Sequence, residues 1–302
     1  MKSTALDVLT KGVVAVACND AGAANIIINW LRVMPQIKVR AHLGGPAIDL
    51  WHRAFPETVN YGLKDALQGS HMLLSGTGWA SSLEYDARNM ASEAGVFSVA
   101  VIDHWVNYEE RFIRNERAIH PDEIWVVDEY GYDLALSTFP SLKVRLLPNY
   151  YLIEQVKLIK AFESTLFPHP GYTNILYALE PIRSSWGSGQ VVPGEFQALD
   201  YFIYNLEKII KGKINIKLRP HPSGKDGKYD DWVSRQGTSV TFEISKNSSL
   251  HKDIAWSDIV VGCQTYVLIL GLNVGKRTIS SLPPHAPESL LPYREIEELR
   301  RL

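Results

Sequence analysis

Short apolar runs recur along the chain and alternate with segments in which apolar residues are spaced three or four positions apart. The runs are predicted strands and the spaced segments predicted helices, because these periods belong to a buried strand and to one helix face. Uninterrupted runs such as residues 12–18 and 96–102 are typical of strands buried on both faces of a parallel sheet. The alternation predicts right-handed β-α-β connections, and therefore an α/β fold with helices on both faces of each sheet.

The pattern of strands and helices is interrupted once, which indicates two domains. Residues 1–150 form the first predicted Rossmann-like domain. Residues 151–172 are the predicted linker, because a helix over residues 151–167 ends in a cluster of proline and glycine. Residues 173–302 form the second domain, where the strand pattern starts again. A length of 302 residues suits two domains, since single cores stop growing at about 250–300 residues.

The boundaries of the predicted elements follow from the same pattern. Besides the strand that ends at Arg219, the predicted strands are residues 12–18, 38–43, 71–74, 96–102, 124–128, 144–147, 173–179, 239–244, 259–263 and 276–279. The predicted helices, apart from the linker helix, are residues 25–33, 48–55, 83–94, 130–136, 195–210, 229–236, 250–257 and 267–272.

Composition narrows the class of protein. With 46% hydrophobic and 21% charged residues the chain is typical of a soluble globular protein, and a formal net charge of -2 argues against nucleic acid as a partner. Cys18 and Cys263 lie in apolar runs and are expected to be buried thiols. No signal peptide or membrane span is recognisable, so we expect a cytoplasmic protein; peripheral contact with the inner face of the membrane stays open.

Asp20 is the first candidate for chemistry. It follows the strand at residues 12–18 and is followed by a turn of small residues that includes Gly22. Ligands bind at the carboxyl ends of strands in open α/β sheets, so Asp20 is a candidate catalytic carboxylate and Gly22 a candidate binding position. The alternative is that Asp20 only caps the helix that follows, since aspartate is a preferred N-cap residue.

Two other strand exits in the first half carry polar residues. Ser75 and Thr77 lie in a serine- and glycine-rich loop that is able to cradle an anion or simply to turn the chain. Asp103, His104 and Asn107 follow the strand at residues 96–102, together with two aromatic residues. Such a set suits a sugar, with hydroxyls bound by the polar groups; the alternative is an amphipathic segment whose aromatic residues face the core.

In the second half, the strongest short motif is Arg219-Pro220-His221-Pro222 at the end of a strand. Each proline restricts the backbone, so the guanidinium and the imidazole are presented on a stiff turn that suits a phosphate. The alternative is a proline-rich strand exit with a solvated arginine and a packed histidine.

A weaker candidate is the loop with Arg183 and Ser184. It leads from a predicted strand to a long helix and is able to hold a diphosphate, or is an ordinary surface loop.

The order of these motifs resembles a known family. The second half is similar to the donor domain of GT-B-fold glycosyltransferases, especially bacterial polysaccharide and sialyltransferase-like enzymes with an RPHP or HP element. The similarity spans about residues 173–282 and rests on the RPHP element, then residues 256–262, then Gln264-Thr265 and residues 271–278. In the first half, residues 20–24 resemble the acidic, glycine-bearing turn after the first strand of these enzymes.

The resemblance implies two Rossmann-like α/β/α domains facing a cleft, and metal-independent transfer of a hexosyl- or sialyl-type sugar in bacterial surface polysaccharide or glycoconjugate synthesis. The partners would be a nucleotide-sugar donor and a glycan or glycolipid acceptor, and no cofactor is expected because the donor is a co-substrate. No strand exit carries a DxD-like acid pair, so no metal site is expected. The donor nucleotide, the sugar and the acceptor stay open.

The resemblance also implies roles for individual residues. Asp20 would be the general base for the acceptor hydroxyl. His221 and Arg219 would bind the donor phosphate and stabilise the charge on the departing nucleotide. Thr265 and the neighbouring Gln264 would add contacts at the start of a helix. The tail, residues 283–302, would supply a helix.

Two other hypotheses stay open. A sugar-nucleotide epimerase or hydrolase of the same fold would need several acids and a histidine around the sugar, and Asp103, His104 and Glu84 would supply them. A non-catalytic nucleotide-sugar-binding protein would bind donors without turnover.

Overall fold

Residues 5–79, 81–165, 171–187, 189, 191–237, 240–245 and 249–302 are described by the structure, a computed structural model. The chain divides into two units, Met1–Tyr151 and Leu152–Leu302. Residues 166–170, in the predicted linker, lie outside the described residues. Cys18 and Cys263 are both buried free thiols, as the sequence predicts.

The first unit is built on a six-stranded sheet in the order β2-β1-β3-β4-β7-β8, and every neighbouring pair of strands is parallel. Its elements are β1 Val13–Cys18, α1 Ala21–Arg32, β2 Lys38–Leu43, α2 Gly45–Ala54, α3 Leu63–Leu67, β3 Met72–Ser75, α4 Leu83–Glu93, β4 Phe97–Val101, β7 Glu123–Val126, α5 Glu129–Thr138 and β8 Lys143–Leu146, together with a small antiparallel pair, β5 Ile113–Arg114 and β6 Arg117–Ala118.

Both faces of this sheet are buried, which explains the uninterrupted apolar runs. Along β1, Val14 and Val16 pack in one core cluster with residues of α1 and α2. Ala15 and Ala17 point to the other face and pack in a second cluster with residues of α3 and α4. A strand covered on both sides has no face for polar residues, so polar side chains collect where the strand ends.

The second unit contains another fully parallel six-stranded sheet, in the order β11-β10-β9-β12-β13-β14. Its elements are α6 Tyr150–Glu163, which begins in the first unit, then β9 Tyr172–Ala178, α7 Gly194–Tyr204, α8 Leu206–Ile209, β10 Lys213–Arg219, α9 Asp230–Ser234, β11 Thr241–Ile244, α10 Leu250–Trp256, β12 Ile259–Gly262, α11 Tyr266–Asn273, β13 Arg277–Ser280 and β14 Glu297–Glu298.

The strand before the RPHP motif follows the predicted alternation. Ile214, Ile216 and Leu218 are buried in one core cluster with residues of α7, α8 and α9. On the other face of the sheet, Ile159 of α6 is buried with residues of α10 and α11. The described part of the predicted linker helix therefore contributes to the core of the second unit.

Two helices differ from their predicted form. Helix α1 begins at Ala21, earlier than predicted, because the small residues are mostly alanine, the strongest helix former. The long helix predicted for residues 195–210 is interrupted at Asn205, whose side-chain amide donates to the Tyr201 carbonyl at 2.8 Å.

The helix predicted for the tail is wrong. Residues 283–302 contain only a 3₁₀ turn, Leu299–Arg301, and the strand β14, which pairs with β13. Prolines interrupt any helix there, and Arg277 binds Glu297 through two hydrogen bonds of 2.7 Å.

Strand order reverses at one point in each sheet. In the first unit the chain goes from β1 to β2 on one side and returns to β3 on the other, so the reversal lies between β1 and β3. In the second unit it lies between β9 and β12. Open parallel sheets bind ligands beyond the carboxyl ends of the strands at such a reversal, which marks a candidate region in each unit.

No α-helix in the described part of the chain combines the length and the apolar character that a membrane crossing needs.

A substitution at Gly271 tests the packing that holds α11 in place. A Cβ there would lie 2.9 Å from Val260 Cγ2 and 3.1 Å from Thr278 Cγ2. We expect Gly271→Ala to lower the free energy of unfolding by about 1–3 kcal/mol in urea denaturation, because overpacking outweighs the gain in helix propensity. Gly237→Ala is the control, since its added Cβ has no atom of the described residues within 4 Å apart from its chain neighbours. Equal stability of Gly271→Ala and wild type would contradict this packing.

Candidate functional site

Asp20 occupies the N-cap position of α1, but its side chain makes no capping hydrogen bond. Asp128, by contrast, caps its helix: its carboxylate accepts a hydrogen bond from the Gly131 backbone amide at 2.7 Å at the start of α5. Asp20 is half-buried and accepts one side-chain hydrogen bond, from Asn19 Nδ2 at 3.1 Å. The carboxylate is therefore not used to cap its helix, and it lies at the β1/β3 reversal.

A second carboxylate lies behind Asp20. Glu84, in the first turn of α4, is 1% exposed and accepts the Asn19 amide at 2.7 Å. Burial raises the pKa of Glu84, and the charge of Asp20 raises it further. Glu84 and Asp20 therefore contact the same residue, one through its backbone and the other through its side chain.

Two glycines make room for the carboxylates at this edge. A Cβ on Gly22 would lie 1.6 Å from Asp103 Oδ2, and a Cβ on Gly78 would lie 2.0 Å from Asp20 Oδ2. Gly22 is thus needed for the close approach of Asp103 to the start of α1. Burial raises the pKa of Asp103, whereas Arg111 lowers it. The structure brings Asp20, Gly22 and Asp103 together, as the strand exits predict.

His104 and Asn107 follow Asp103 in the same loop. His104 Nδ1 accepts the Trp105 amide at 3.0 Å, and burial lowers the pKa of its ring, which favours the neutral form. Asn107 is exposed and has a φ of 58°, a left-handed conformation that asparagine tolerates. His104 lies beside the acidic cluster, whereas Asn107 shapes the turn.

Ser75 and Thr77 do not present their hydroxyls to a ligand. They are 0% and 1% exposed, and their hydroxyls donate to the carbonyls of Val99 and Val101 at 3.4 and 3.1 Å. The predicted contact with substrate is therefore corrected: both hydroxyls join β3 and its exit to β4.

At the β9/β12 reversal of the second unit, the Glu180 carboxylate binds backbone amides at the start of α11. Oε1 accepts the Cys263 amide at 2.7 Å and the Gln264 amide at 2.9 Å, and the Thr265 amide also donates to this carboxylate. Burial nevertheless raises the pKa of Glu180 to about 7. A carboxylate of the chain itself thus binds the backbone amides at the helix start where Thr265 and Gln264 are expected to contact a ligand.

Thr265 and Gln264 have structural partners of their own. Thr265 is the N-cap of α11, and its hydroxyl accepts the Val267 amide at 3.3 Å. That hydroxyl keeps its hydrogen for a further partner. Gln264 Oε1 accepts the Leu290 amide at 3.2 Å, so its side chain binds the tail of the second unit.

Arg219 is held by the fold. Its Nη1 lies 2.5 Å from Asp253 Oδ2, and the Ser245 hydroxyl donates to the same oxygen at 2.6 Å. Asp253 is fully buried, so loss of Arg219 would leave a buried carboxylate with weaker compensation. Nη1 of Arg219 thus forms an ion pair with a buried carboxylate and fixes the end of β10, and Arg219 also lines the cavity beside His221, so its contact with a phosphate stays a prediction.

His221 is exposed at the edge of a cavity of about 520 Å³. Its Nδ1 accepts the Ser223 amide at 3.2 Å, so the neutral ring carries its hydrogen on Nε2. Partial desolvation lowers the pKa of His221, which favours this neutral form. Two lysines, Lys225 and Lys228, also line the cavity. The complete lining is residues 219–222, 224–230, 244 and 245.

Arg183 and Ser184 lie exposed in the loop after β9. The Ser184 carbonyl accepts the Gly194 amide at 2.8 Å, which closes the loop at the start of α7. The side chain of Arg183 makes no hydrogen bond or ion pair with the described residues, and nothing in the second unit places it at the RPHP cavity.

Glu180 and Lys225 were not selected as candidate site residues from the sequence. Glu180 directly follows a strand, so the reasoning that selected Asp20 would also have found it. Lys225 lies in a glycine-bearing loop after the RPHP motif and carries no pattern that distinguishes it from a surface lysine. No group of three or more His, Cys, Asp or Glu residues among those described is arranged to hold a metal ion.

Comparison with known proteins shows the fold. No protein-family model and no curated protein sequence matches the chain. Among solved structures it is similar to MurG from Acinetobacter baumannii, with a TM-score of 0.52 and 11% identity over 91% of this chain and 80% of that one. It is also similar to UDP-GlcNAc 2-epimerase from Methanocaldococcus jannaschii, with a TM-score of 0.56 and 8% identity over 89% of this chain and 83% of that one. The chain has the GT-B fold.

Glu180 predicts a pH dependence of stability. Its pKa is about 7 in the folded protein and near 4.5 as a free side chain, so the folded state binds this proton more tightly. The resulting stabilisation is fully present below pH 4.5 and is lost as the pH rises through about 7, up to about 3 kcal/mol. We expect Glu180→Gln to lack this pH-dependent loss in urea denaturation between pH 4.5 and 8.

The control for this experiment is Glu288→Gln, which removes an exposed carboxylate of the same unit. If the free energy of unfolding of wild type and Glu180→Gln changed in parallel with pH, the protonation state assigned to Glu180 would be incorrect.

Proposed function

We propose that this protein is a GT-B glycosyltransferase that moves a sugar from a nucleotide-sugar donor to an acceptor hydroxyl. The second unit would bind the donor, and the first unit would activate the acceptor. The GT-B fold supports this proposal, together with the polar groups that each sheet presents at its carboxyl edge.

The observation that carries the proposal is the state of Asp20. It lies at a strand-order reversal, is half-buried, and spends no oxygen on capping α1. A carboxylate placed in this way is suited to accept a proton from a hydroxyl group, which is the task of a general base. The simplest structural explanation for an aspartate at this position, a helix cap, does not apply.

His221 supports a donor site in the second unit. The Ser223 amide directs the ring hydrogen of the neutral form to Nε2, so this atom is available to donate to a phosphate oxygen. Lys225, exposed at the same cavity, adds a positive charge. Lys228 forms an ion pair with the buried Glu195 and contributes less net charge.

The proposed reaction balances without a further reactant. The acceptor oxygen forms a bond to the anomeric carbon of the sugar while the bond from that carbon to the donor phosphate breaks. The proton of the acceptor hydroxyl passes to Asp20, and the leaving phosphate keeps the electron pair. His221 Nε2–H would stabilise the charge that develops on that phosphate, without a requirement for metal.

A sugar-nucleotide epimerase is the second candidate. The first unit supplies three carboxylates, Asp20, Glu84 and Asp103, at one sheet edge, and the neighbour from Methanocaldococcus jannaschii is a UDP-GlcNAc 2-epimerase. An epimerase would convert a nucleotide sugar with no acceptor present. Product analysis of a nucleotide sugar incubated alone therefore separates the two activities.

We expect Asp20→Asn to lower the rate of transfer by about a hundredfold or more, because it removes the proton acceptor while preserving shape. Nucleotide binding should stay within about twofold of wild type, since the donor is assigned to the second unit. Turnover assays and calorimetric titration measure the two effects. Asp49→Asn, an exposed carboxylate on α2, is the control. Near-native turnover of Asp20→Asn would exclude its role as base.

We expect a nucleotide that carries the donor base to raise the melting temperature of wild type by several degrees at saturation, since it binds only the native state. CMP, UDP, GDP, dTDP and CDP form the panel. His221→Ala should lose most of this shift, whereas His285→Ala, an exposed histidine of the same unit, should keep it. A shift of equal size in wild type and His221→Ala would show that the phosphate binds elsewhere.

A further inference from the structure

We propose that Glu84 is a positioning residue for Asp20: it fixes the Asn19–Asp20 turn through the backbone amide of Asn19, and the two carboxyl groups are electrostatically coupled. The inference rests on the proposed function only in taking Asp20 as the base. The coupling between the two carboxyl groups is a property of the first unit and can be measured without substrate.

The first support is a continuous set of hydrogen bonds. Glu84 Oε1 accepts the Asn19 amide at 2.7 Å, and Asn19 Nδ2 donates to Asp20 Oδ1 at 3.1 Å. Asn19 is itself confined, because added Cβ atoms on Gly44 and Gly45 would lie 2.8 and 2.9 Å from its Oδ1. A movement of Glu84 would therefore be transmitted to the carboxylate of Asp20 through one rigid residue.

The second support is the surroundings of the other Glu84 oxygen. Glu84 is 1% exposed, and its Oε2 has no hydrogen-bond partner among the described residues. An ionised carboxylate with a buried, unpartnered oxygen is costly, whereas the neutral acid carries no net charge into the interior. Consistent with this, burial is the main cause that raises the pKa of Glu84, against the lowering effect of the Asn19 amide.

The charged groups around Glu84 act on its pKa in opposite directions. Asp20, on the β1–α1 turn, raises the pKa of Glu84, and Arg88, one turn along α4, lowers it. The Arg88 guanidinium is largely engaged elsewhere: it donates to the Gly76 carbonyl at 2.9 Å and to the Arg111 carbonyl at 3.3 Å. The Cys18 thiol on β1 faces the same group, and burial raises its pKa, so it stays neutral.

Asp103 adds a negative charge from the β4 exit. The charge of Asp20 raises the pKa of Asp103 as well, which shows that these two carboxylates also face each other. Three carboxyl groups thus share a small region with two buried arginines, Arg88 and Arg111. Carboxyl groups that interact in this way influence each other's titration.

This arrangement would assist the proposed reaction. The raised pKa of Glu84 favours its neutral form, which places less negative charge behind Asp20 when the acceptor approaches. When Asp20 takes the acceptor proton it becomes neutral, so its charge no longer raises the pKa of Glu84. Glu84 needs no contact with substrate for this effect.

Carboxyl-carbon NMR titration of the full chain tests the coupling. We expect the titration midpoint of Glu84 to lie above that of an ordinary glutamate and to fall in Asp20→Asn, because the neighbouring charge is gone. Glu93→Gln, at the exposed end of the same helix, should leave the midpoint unchanged. An ordinary midpoint for Glu84, or an equal midpoint in wild type and Asp20→Asn, would overturn the inference.

Activity of two Glu84 variants tests the positioning role. Glu84→Gln is neutral and keeps an oxygen for the Asn19 amide, so we expect kcat within about threefold of wild type. Glu84→Ala removes that oxygen and should lower kcat by about tenfold or more, with the KM for donor unchanged. Equal losses in both variants would contradict positioning through Asn19. If Glu84→Ala does not fold, the Glu84→Gln rate and the NMR titration decide.

The two proposals fail in different ways. Full turnover by Asp20→Asn would refute Asp20 as base and leave the NMR coupling intact. An uncoupled Glu84 titration, with Asp20→Asn inactive, would refute the role of Glu84 and leave Asp20 as base.

Discussion

The common direction of the strands is the constraint on which both units depend. In each six-stranded sheet every neighbouring pair is parallel, so all carboxyl ends meet at one edge. Helices cover both faces, and apolar clusters fill the space between helices and sheet. Polar chemistry is thereby confined to the edge, and within it to the place where strand order reverses and neighbouring loops separate.

Electrostatics distinguish that edge from the rest of each unit. At the amino end of β7, burial alone would raise the pKa of Glu123, yet hydrogen bonds from Arg145, Trp125 and Lys143 lower it to about 2. That carboxylate is fully compensated and belongs to the scaffold. Glu84 and Glu180, at the carboxyl edges, are buried with less compensation, and their pKa values are raised. Carboxyl groups perturbed in this direction are typical of functional sites.

The backbone contributes to the same chemistry by leaving space. Gly22 and Gly78 have no side chains, so the carboxylates of Asp103 and Asp20 approach the main chain closely. In the second unit a backbone cluster of amides is filled by Glu180 from the same chain. The first unit therefore brings carboxylates together around Asp20, which does not cap its helix. The second unit satisfies its amides with Glu180 and presents His221 and Lys225 beside a cavity.

The sequence by itself determined most of the secondary structure and the choice of candidate site residues. Apolar runs and alternating apolar positions identified eleven of the strands within a few residues, because burial of a strand leaves a pattern that can be recognised without tertiary contacts. The rule that ligands bind beyond strand ends selected Asp20, Asp103 and His221. The short elements α3 and β14 were not predicted, because a few residues show no detectable period and such elements form only through contacts with their neighbours.

What only the tertiary structure decided is the state of each polar side chain. The Asp128 carboxylate caps its helix, whereas the Asp20 carboxylate makes no cap and accepts the side-chain amide of Asn19 instead. Arg219 is engaged by Asp253 across 34 positions of the chain, and Glu180 reaches amides 83 positions away. Hydrogen bonds and desolvation act over a few ångströms in space, and the order of residues alone does not give distances of that kind.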